Sequence, residues 1–189
     1  MELKIRVTET RSSTMNRVLI VVDMQNDFID GSLGTKEAEQ IVDNVINEIH
    51  GDYEHYIATR DTHQENYLET NEGRHLPVVH CIENSEGWQI RKEVQDALIE
   101  KGFICINKPT FGSEVLVDLL KQINGEHPID EITLVGLCTD ICVISNALLL
   151  KAAFPEVKMS VKKDCCAGVT PESHEAALTS MKMCQIEIE

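Results

Sequence analysis

Short apolar runs rich in β-branched residues alternate along this chain with longer segments in which apolar residues recur at helical spacing. The short runs predict strands near 18–22, 53–60, 103–106, 131–136, 157–161 and 185–188. The longer segments predict helices near 35–49, 139–154 and 171–183, one containing Val94, Leu98 and Ile99, and one that begins at Ser113 and ends at Gly125. Repeated units of this kind indicate a three-layer α/β/α fold, in which helices cover both faces of a mostly parallel, doubly wound sheet.

The size of the chain is that of a single globular domain. At 189 residues it can bury a sizeable core, and its 42% hydrophobic and 26% charged residues are ordinary values. We assign this domain to residues 15–189. Residues 1–14 form an N-terminal extension, in which the alternation of Leu3, Ile5 and Val7 suggests an added edge strand.

Charge and cysteine content exclude several classes of partner. The formal net charge of -15, from 17 basic and 32 acidic residues, argues against nucleic acids and anionic membranes. No apolar run approaches the roughly 20 residues that span a bilayer, and the interleaved charges at the N-terminus form no signal-peptide core. The seven cysteines are odd in number and lie in apolar segments, which is typical of reduced thiols, so we expect a cytoplasmic protein.

Chemically reactive side chains follow four of the predicted strands. They are Asp23 after the first strand, Asp61, His63 and His80 after the second, Lys108 after the third and Cys142 after the fourth. Because the carboxyl ends of parallel strands meet at one rim of an open sheet, where ligands bind, we expect these groups to share a crevice. An acid, a lysine, a thiol and three metal-type ligands in one place predict an enzyme.

Cys142 is the candidate nucleophile because it falls in the first turn of the helix that follows the fourth strand. There the helix dipole and a nearby lysine favour the thiolate, and free backbone N–H groups can hold an oxyanion. The alternative is a small core residue, as cysteines in apolar segments commonly are. Cys138, only two residues past the strand, is better placed to offer a backbone N–H than a thiolate.

Asp23 and Lys108 are the candidate partners of this nucleophile. A thiol that attacks an amide needs a base to take its proton and to deliver it to the leaving ammonia, and Asp23 is placed for that task. Lys108 would supply the ammonium that offsets the burial of this carboxylate. Taken singly, Asp23 also fits the role of a structural or helix-capping acid. Lys108, which precedes Pro109, also fits the role of a surface residue.

Asp61, His63 and His80 are candidate metal ligands. Asp61 and His63 are two residues apart, so in extended backbone they point to the same side. Two imidazoles and a carboxylate suit zinc, iron or manganese, and we expect a divalent metal, with zinc first. His75, five residues before His80, is an alternative ligand.

Four segments carry a resemblance to a known family. They are VDMQNDF at 22–28, TRDTHQEN at 59–66, LPVVHC at 76–81 and GLCTDICV at 136–143. In their sequence and their order they resemble the motifs of the isochorismatase-like cysteine hydrolase superfamily, and within it those of the nicotinamidase/pyrazinamidase branch. The resemblance runs from about residue 17 to the C-terminus and implies the isochorismatase-like hydrolase fold.

The resemblance also implies a role for each matching residue. Cys142 would attack the carboxamide carbon and form a thioester, with Asp23 as general base and acid and Lys108 beside both. The backbone N–H groups of Cys138 and Cys142 would form the oxyanion hole, and the peptide bond between Leu137 and Cys138 is expected to be cis. A metal held by Asp61, His63 and His80 would bind the pyridine nitrogen of the substrate.

The substrate pocket departs from the pattern of that branch. Thr62 stands where nicotinamidases usually carry an aromatic residue, and the passage 108–113 is shorter than theirs. The resemblance implies that Phe28 packs against the substrate ring, and we add Trp88 and Phe111 as substrate-binding candidates. Tyr67 is a further candidate for the pocket wall, whereas Trp88 fits equally well as a core anchor.

Three functions therefore compete. The first is a metal-assisted amidase of nicotinamide or a similar small carboxamide, and the metal-type ligands favour it. The second is a metal-independent hydrolase of ureido or carbamoyl compounds, or an isochorismatase-type hydrolase. The third is a non-catalytic metal- or thiol-sensing protein that uses the same crevice. Since relatives are commonly oligomers, we also expect a homo-oligomer, with contacts through the helix at 139–154 or the loop at 64–88.

Overall fold

The computed structural model describes residues 15–189, which are arranged around one six-stranded sheet. All strand pairs are parallel, and the strand order is β3-β2-β1-β4-β5-β6. The strands are β1 (Arg17–Val22), β2 (His55–Asp61), β3 (Ile104–Lys108), β4 (Glu131–Leu137), β5 (Lys158–Ala167) and β6 (Glu187–Ile188). The predicted N-terminal extension, with its edge strand, lies outside the described residues.

In the described part of the chain, eight α-helices and two short non-α turns connect the strands. The helices are α1 (Asn26–Ile29), α2 (Lys36–Gln40), α3 (Val42–Ile49), α4 (Asn71–His75), α5 (Lys92–Lys101), α6 (Glu114–Glu126), α7 (Ile144–Ala153) and α8 (Pro171–Met183). A 3₁₀ turn, Tyr67–Glu69, precedes α4, and a π-helical turn, Thr139–Val143, precedes α7. Among the described residues, no helix is both long and apolar enough to cross a membrane.

Both faces of the sheet are buried, which confirms the predicted three layers. Alternate residues of a strand point to opposite faces, and β1 shows this directly. Leu19 and Val21 pack with the layer that contains α2, α3 and α5, whereas Ile20 and Val22 pack with α6, α7 and α8. The prediction of a mostly parallel sheet is confirmed, and every pair among the described strands is in fact parallel.

Some predicted boundaries were wrong, for identifiable reasons. The helix predicted at 35–49 is interrupted at Ile41, although Ala38, Ile41 and Val45 still bury one continuous apolar face. The strand predicted at 157–161 continues to Ala167. Its hydrophobic pattern stops at Lys162, but pairing with β4 resumes beyond an irregularity, where Gly136 pairs with Cys166.

Other differences concern the ends of elements and one loop. The helix after Ser113 ends at Glu126 rather than Gly125, and the last strand is only Glu187–Ile188. The helix predicted at 139–154 begins with the π-helical turn. The loop predicted from residue 61 to 87 contains the 3₁₀ turn and α4, where Thr70 caps the helix by accepting a hydrogen bond from Gly73 N–H.

The strand order places a crevice beside β1. The chain moves outward from β1 to β2 and β3 on one side, then returns to β4 on the other. Loops that leave β1 and β4 therefore diverge at their carboxyl ends, which is the position at which open α/β sheets bind ligands. The carboxyl ends of β1, β2, β3 and β4 line this rim.

Gly136, at the rim end of β4, can only be glycine. Its φ is +120°, and an added Cβ would collide with the backbone of Val22 on β1. We expect Gly136→Ala to lower the free energy of unfolding by about 3 kcal/mol or more. The matched control is Gly125→Ala in α6, where an added Cβ meets nothing within 4 Å. Urea unfolding of both variants checks the prediction, and a Gly136→Ala protein as stable as the control would contradict it.

Candidate active site

The four predicted groups converge at the rim of the sheet. Asp23 directly follows β1, Asp61 and Lys108 are the last residues of β2 and β3, and Cys142 lies in the π-helical turn after β4. All four are buried, with exposed fractions of 0% for Asp23 and Lys108, 2% for Asp61 and 4% for Cys142. Buried ionisable side chains are rare unless they are paired, so this concentration marks a functional site.

Asp23 and Lys108 form a buried ion pair. Lys108 Nζ lies 2.7 Å from Asp23 Oδ2, and it also donates a hydrogen bond to Thr110 O at 3.2 Å. The Thr59 hydroxyl donates to the other carboxylate oxygen, Asp23 Oδ1, at 2.7 Å. Asp23 adopts a positive φ of 49° at the end of its strand. The two charges are therefore fixed from three neighbouring strands of the sheet.

The electrostatics around Cys142 differ from the expectation of a favoured thiolate. Burial raises the pKa of the Cys142 thiol well above its usual range, and the Asp23 carboxylate raises it further, while Lys108 opposes both. Burial also raises the pKa of Asp23, an effect that Lys108 partly offsets. Lys108 lowers the pKa of the thiol as expected, but burial opposes it more strongly, so the favoured thiolate stays a prediction. Burial and the Asp23 carboxylate thus favour the neutral thiol beside the ion pair.

The turn that carries Cys142 starts at an unusual peptide bond. The peptide bond between Leu137 and Cys138 is cis, as expected from the resemblance. Cys138 O then accepts hydrogen bonds from Ile141 N–H at 3.1 Å and from Val143 N–H at 3.0 Å. Single π-helical turns within helices occur frequently at functional sites. Here the turn presents the backbone between Cys138 and Cys142 at the rim.

A cluster of metal-type ligands lies next to the ion pair. Asp61 Oδ2 is 2.9 Å from His63 Nε2 and 3.3 Å from His80 Nε2, and Glu72 Oε2 is 3.3 Å from His63 Nε2. One donor atom from each of these four residues lies within 4.8 Å of the others. Asp61 Oδ1 is 4.0 Å from Lys108 Nζ, so the two clusters share a border.

Two observations show that this cluster fits a divalent cation. Asp61 Oδ1 is buried and has no hydrogen-bond partner among the described residues, which is costly unless a cation satisfies it. His80 Nδ1 donates to Val78 O at 2.8 Å, so the lone pair of a neutral His80 is on Nε2, the atom that faces the cluster. Two imidazoles and two carboxylates suit zinc and related ions.

His75, the alternative ligand, is placed elsewhere. It is exposed on α4, where its Nδ1 donates to Asn71 O at 2.8 Å. Glu72, which the sequence analysis did not single out, completes the cluster instead. Burial raises the pKa of Glu72, and the Asp61 carboxylate raises it further. A bound cation would relieve that repulsion between the two carboxylates.

Gln25 is a second residue that sequence reasoning missed, and it holds Asp61 in place. The Gln25 side chain is fully buried; its Nε2 donates to Asp61 O at 2.8 Å and its Oε1 accepts from Asp61 N–H at 2.8 Å. Gln25 Nε2 also donates to Trp88 O at 3.0 Å. The signal was available in the sequence, because Gln25 lies in the same segment as Asp23.

Aromatic side chains surround the metal-type ligands. The Phe28 ring is 5.5 Å from the His80 ring, and the Tyr67 ring packs edge-on at 4.7 Å from His63 and 4.9 Å from His80. Burial raises the pKa of Tyr67 to about 12, and the nearby Glu72 carboxylate contributes. Tyr67 is therefore a neutral phenol at any physiological pH.

Trp88 and Phe111 occupy different environments. Trp88 is buried; its Nε1–H donates to Thr62 Oγ1 at 2.9 Å, and the Arg60 guanidinium lies 3.7 Å above its ring. These contacts have the character of an anchor, one of the two roles expected for Trp88. Phe111 is 41% exposed on the loop after Lys108. Whether either touches a substrate stays a prediction.

Comparison with known proteins identifies the family. The model of the isochorismatase domain matches residues 17–188, which is nearly the whole described chain. The chain belongs to the isochorismatase family. This confirms the resemblance drawn from the four sequence segments.

Individual relatives narrow the assignment. The chain is 29% identical to the nicotinamidase of Escherichia coli, over 88% of this chain and 90% of the relative, and 26% identical to the nicotinamidase/pyrazinamidase of Mycobacterium tuberculosis, over 91% and 97%. The crystal structure of the Pyrococcus horikoshii pyrazinamidase in complex with zinc has a TM-score of 0.73 and 27% identity, and the alignment covers 92% of this chain and 98% of that one. This member of the family is thus a nicotinamidase-like hydrolase, which acts on an amide C–N bond.

Proposed function

We propose that this hydrolase deamidates nicotinamide or a similar small carboxamide through a thioester on Cys142, assisted by a divalent metal, most simply zinc. The observation that carries the proposal is that the metal-type ligands and the Asp23–Lys108 pair meet at Asp61. Asp61 faces His63 and His80 on one side and Lys108 on the other. A small ring held at the metal-type ligands would thereby lie beside the thiol and its base.

The first half of the reaction joins Cys142 to the substrate. Asp23 takes the thiol proton as Sγ attacks the carboxamide carbon. The carbonyl electrons move to oxygen, and the backbone N–H groups of Cys138 and Cys142 hold the resulting oxyanion. As the oxyanion collapses, the C–N bond breaks, Asp23 returns the proton to nitrogen, and ammonia leaves.

The second half releases the acid. Asp23 takes a proton from water, the hydroxide attacks the thioester carbon, and the C–S bond breaks as the proton returns to sulfur. The product is the carboxylic acid, and Cys142 is regenerated as a thiol. Lys108 keeps Asp23 from being left as an unpaired buried charge, and the Asp23 carboxylate in turn raises the pKa of Lys108 against the lowering effect of burial.

Asp61, His63, Glu72 and His80 would hold the metal. Once bound, a divalent cation would supply a Lewis acid for the ring nitrogen of a pyridine-type carboxamide, as the resemblance implies. Phe28, beside His80, would pack against that ring. The zinc complex of the Pyrococcus horikoshii pyrazinamidase supports this proposal, as do the nicotinamidase names of the relatives.

A substrate panel tests the proposed function against its runner-up. The zinc-loaded protein is assayed for ammonia release from nicotinamide, pyrazinamide and an N-carbamoyl amino acid, before and after removal of the metal by chelation. We expect turnover of the two aromatic carboxamides only, and its loss on chelation. Turnover of the carbamoyl compound alone, unaffected by chelation, would replace the proposal with a metal-independent carbamoyl hydrolase. No turnover by a metal-loaded protein would refute it.

Glu72 provides a separate prediction about metal affinity. We expect Glu72→Gln to weaken zinc binding by roughly 10- to 100-fold, because the variant removes a carboxylate from a set of four donors. The control is Glu69→Gln, an exposed position in the adjacent 3₁₀ turn. Competition with a fluorescent zinc chelator measures both variants, and equal affinities would show that Glu72 is not a ligand.

A further inference from the structure

A buried asparagine on α7 links the nucleophile to the loop that follows the catalytic lysine. Asn146 is fully buried, with an exposed fraction of 0%, and it lies four residues after Cys142. It has no place in the mechanism described above. Burying an amide costs free energy unless all its donors and its acceptor are used, so a satisfied one in this position has a structural or functional purpose.

All the polar atoms of Asn146 are engaged with backbone groups. Its Nδ2 donates to Cys142 O at 2.8 Å and to Phe111 O at 3.0 Å. Its Oδ1 accepts from Ser113 N–H at 2.9 Å. One contact is thus made to the π-helical turn and two to the loop after β3. That loop directly follows Lys108, whose Nζ donates a hydrogen bond to Thr110 O in the loop.

The loop also lies close against α7, so its position depends on the helix. A Cβ at Gly112 would lie 2.6 Å from Leu149 Cδ1 and 3.6 Å from Ser145 O. Gly112 is the residue between the two that bind Asn146. The Asn146 amide therefore holds the loop on α7 through Phe111 and Ser113, the residues on either side of the close contact at Gly112.

We propose that Asn146 is a positioning residue, which fixes the Cys142 turn relative to the Lys108 loop and so sets the place of the thiol beside the Asp23–Lys108 pair. No other common side chain of this size offers two donors and one acceptor. Leucine would leave three backbone groups unpaired, and aspartate would aim a carboxylate at two carbonyl oxygens. The test of this role by nicotinamide turnover rests on the proposed function, whereas its test by chemical modification of Cys142 does not.

Two variants distinguish the hydrogen bond that Asn146 makes to the Cys142 turn from the two that it makes to the loop. Asn146→Ala removes all three hydrogen bonds. Asn146→Thr can still donate its hydroxyl to the carbonyl four residues earlier, Cys142 O, but is too short to reach the loop. The control is Asn124→Ala, which removes a hydrogen bond to Ile129 N–H at the opposite end of the sheet. All proteins are assayed below their melting transitions, as followed by circular dichroism.

The chemical readout is the rate of alkylation of Cys142 by iodoacetamide as a function of pH, followed by peptide mapping. We expect Asn146→Ala to change the alkylation rate at neutral pH about tenfold and to shift the pH at which alkylation rises, because the thiol is no longer held at one place beside Asp23 and Lys108. With nicotinamide we expect kcat to fall roughly 10- to 100-fold, with KM changed less than kcat. Asn146→Thr should lie between the wild type and Asn146→Ala, and Asn124→Ala should match the wild type.

The possible outcomes are decisive for the proposal. A wild-type alkylation profile in Asn146→Ala overturns it, whatever happens to kcat, because the thiol would then be positioned by other contacts. A wild-type alkylation profile and kcat in Asn146→Thr would overturn the role of Asn146 in linking the turn to the loop, because the hydrogen bonds to the loop would then be dispensable. If nicotinamide is not a substrate while the alkylation profiles differ as expected, the proposed function fails and the positioning role stands.

Discussion

Replacing Cys142 with alanine is expected to lower kcat for nicotinamide by about 10⁴-fold or more, because the thioester can no longer form. The fold and the zinc affinity should not change. The substitution removes one sulfur atom from a buried site, and Cys142 is not among the metal-type ligands. Steady-state ammonia release and competition for zinc measure the two quantities on the same protein.

Two further proteins make this result specific. Cys105→Ser replaces an exposed cysteine on β3 and should retain the wild-type rate, which excludes a general effect of losing a thiol. Cys142→Ser tests whether an oxygen nucleophile can substitute, and we expect it to be nearly as inactive as alanine. Substantial turnover by Cys142→Ala would mean that water attacks the carboxamide directly, contrary to the proposed mechanism.

Replacing Lys108 with methionine is expected to have the largest effect on stability. It leaves the Asp23 carboxylate buried without its partner at 2.7 Å, which typically costs about 3–5 kcal/mol of unfolding free energy. Adding Asp23→Asn to this variant should recover a large part of the loss, since no charge then remains unpaired. Urea unfolding of the two single variants and the double variant completes the cycle, and all three should lack amidase activity.

The pH dependence of that loss has a definite sign. Burial already raises the pKa of Asp23, and without Lys108 it rises further. A carboxyl group whose pKa is higher in the folded than in the unfolded state makes the protein less stable as the pH rises through the folded value. The gap in stability between wild type and Lys108→Met should therefore narrow as the pH is lowered. A gap that is independent of pH, or a double variant no more stable than Lys108→Met, would contradict the account.

The sequence carried enough information for the fold layers and for most of the site. Hydrophobic runs located six strands, and reactive residues at strand ends could be assigned to one rim because parallel strands share their carboxyl ends. That argument placed Asp23, Asp61, Lys108 and Cys142 together before any geometry was known. It did not depend on element boundaries, which were wrong by several residues for β5 and for the helix interrupted at Ile41.

What the sequence did not reveal depends on burial and on contacts between distant segments. Glu72 lies in α4, within the segment that the sequence predicted as a loop, and only the folding of that segment brings it to His63. The raised pKa of Cys142 reflects full burial, which a position in a first helical turn does not predict. Asn146 is a polar residue in a largely apolar helix, and its three partners lie in two other segments. Residence in the cytoplasm and assembly into a homo-oligomer stay predictions.

Partitioning with hydroxylamine tests the central claim most directly. Hydroxylamine attacks a thioester to give a hydroxamic acid and a free thiol, so it competes with water only if an acyl-enzyme forms. We predict that the zinc-loaded protein, given nicotinamide and hydroxylamine, releases ammonia and yields the pyridine hydroxamic acid at the expense of nicotinate, and that Cys142→Ala yields neither. Ammonia release with nicotinate as the sole product at saturating hydroxylamine, or hydroxamic acid formed by Cys142→Ala, would contradict a thioester on Cys142.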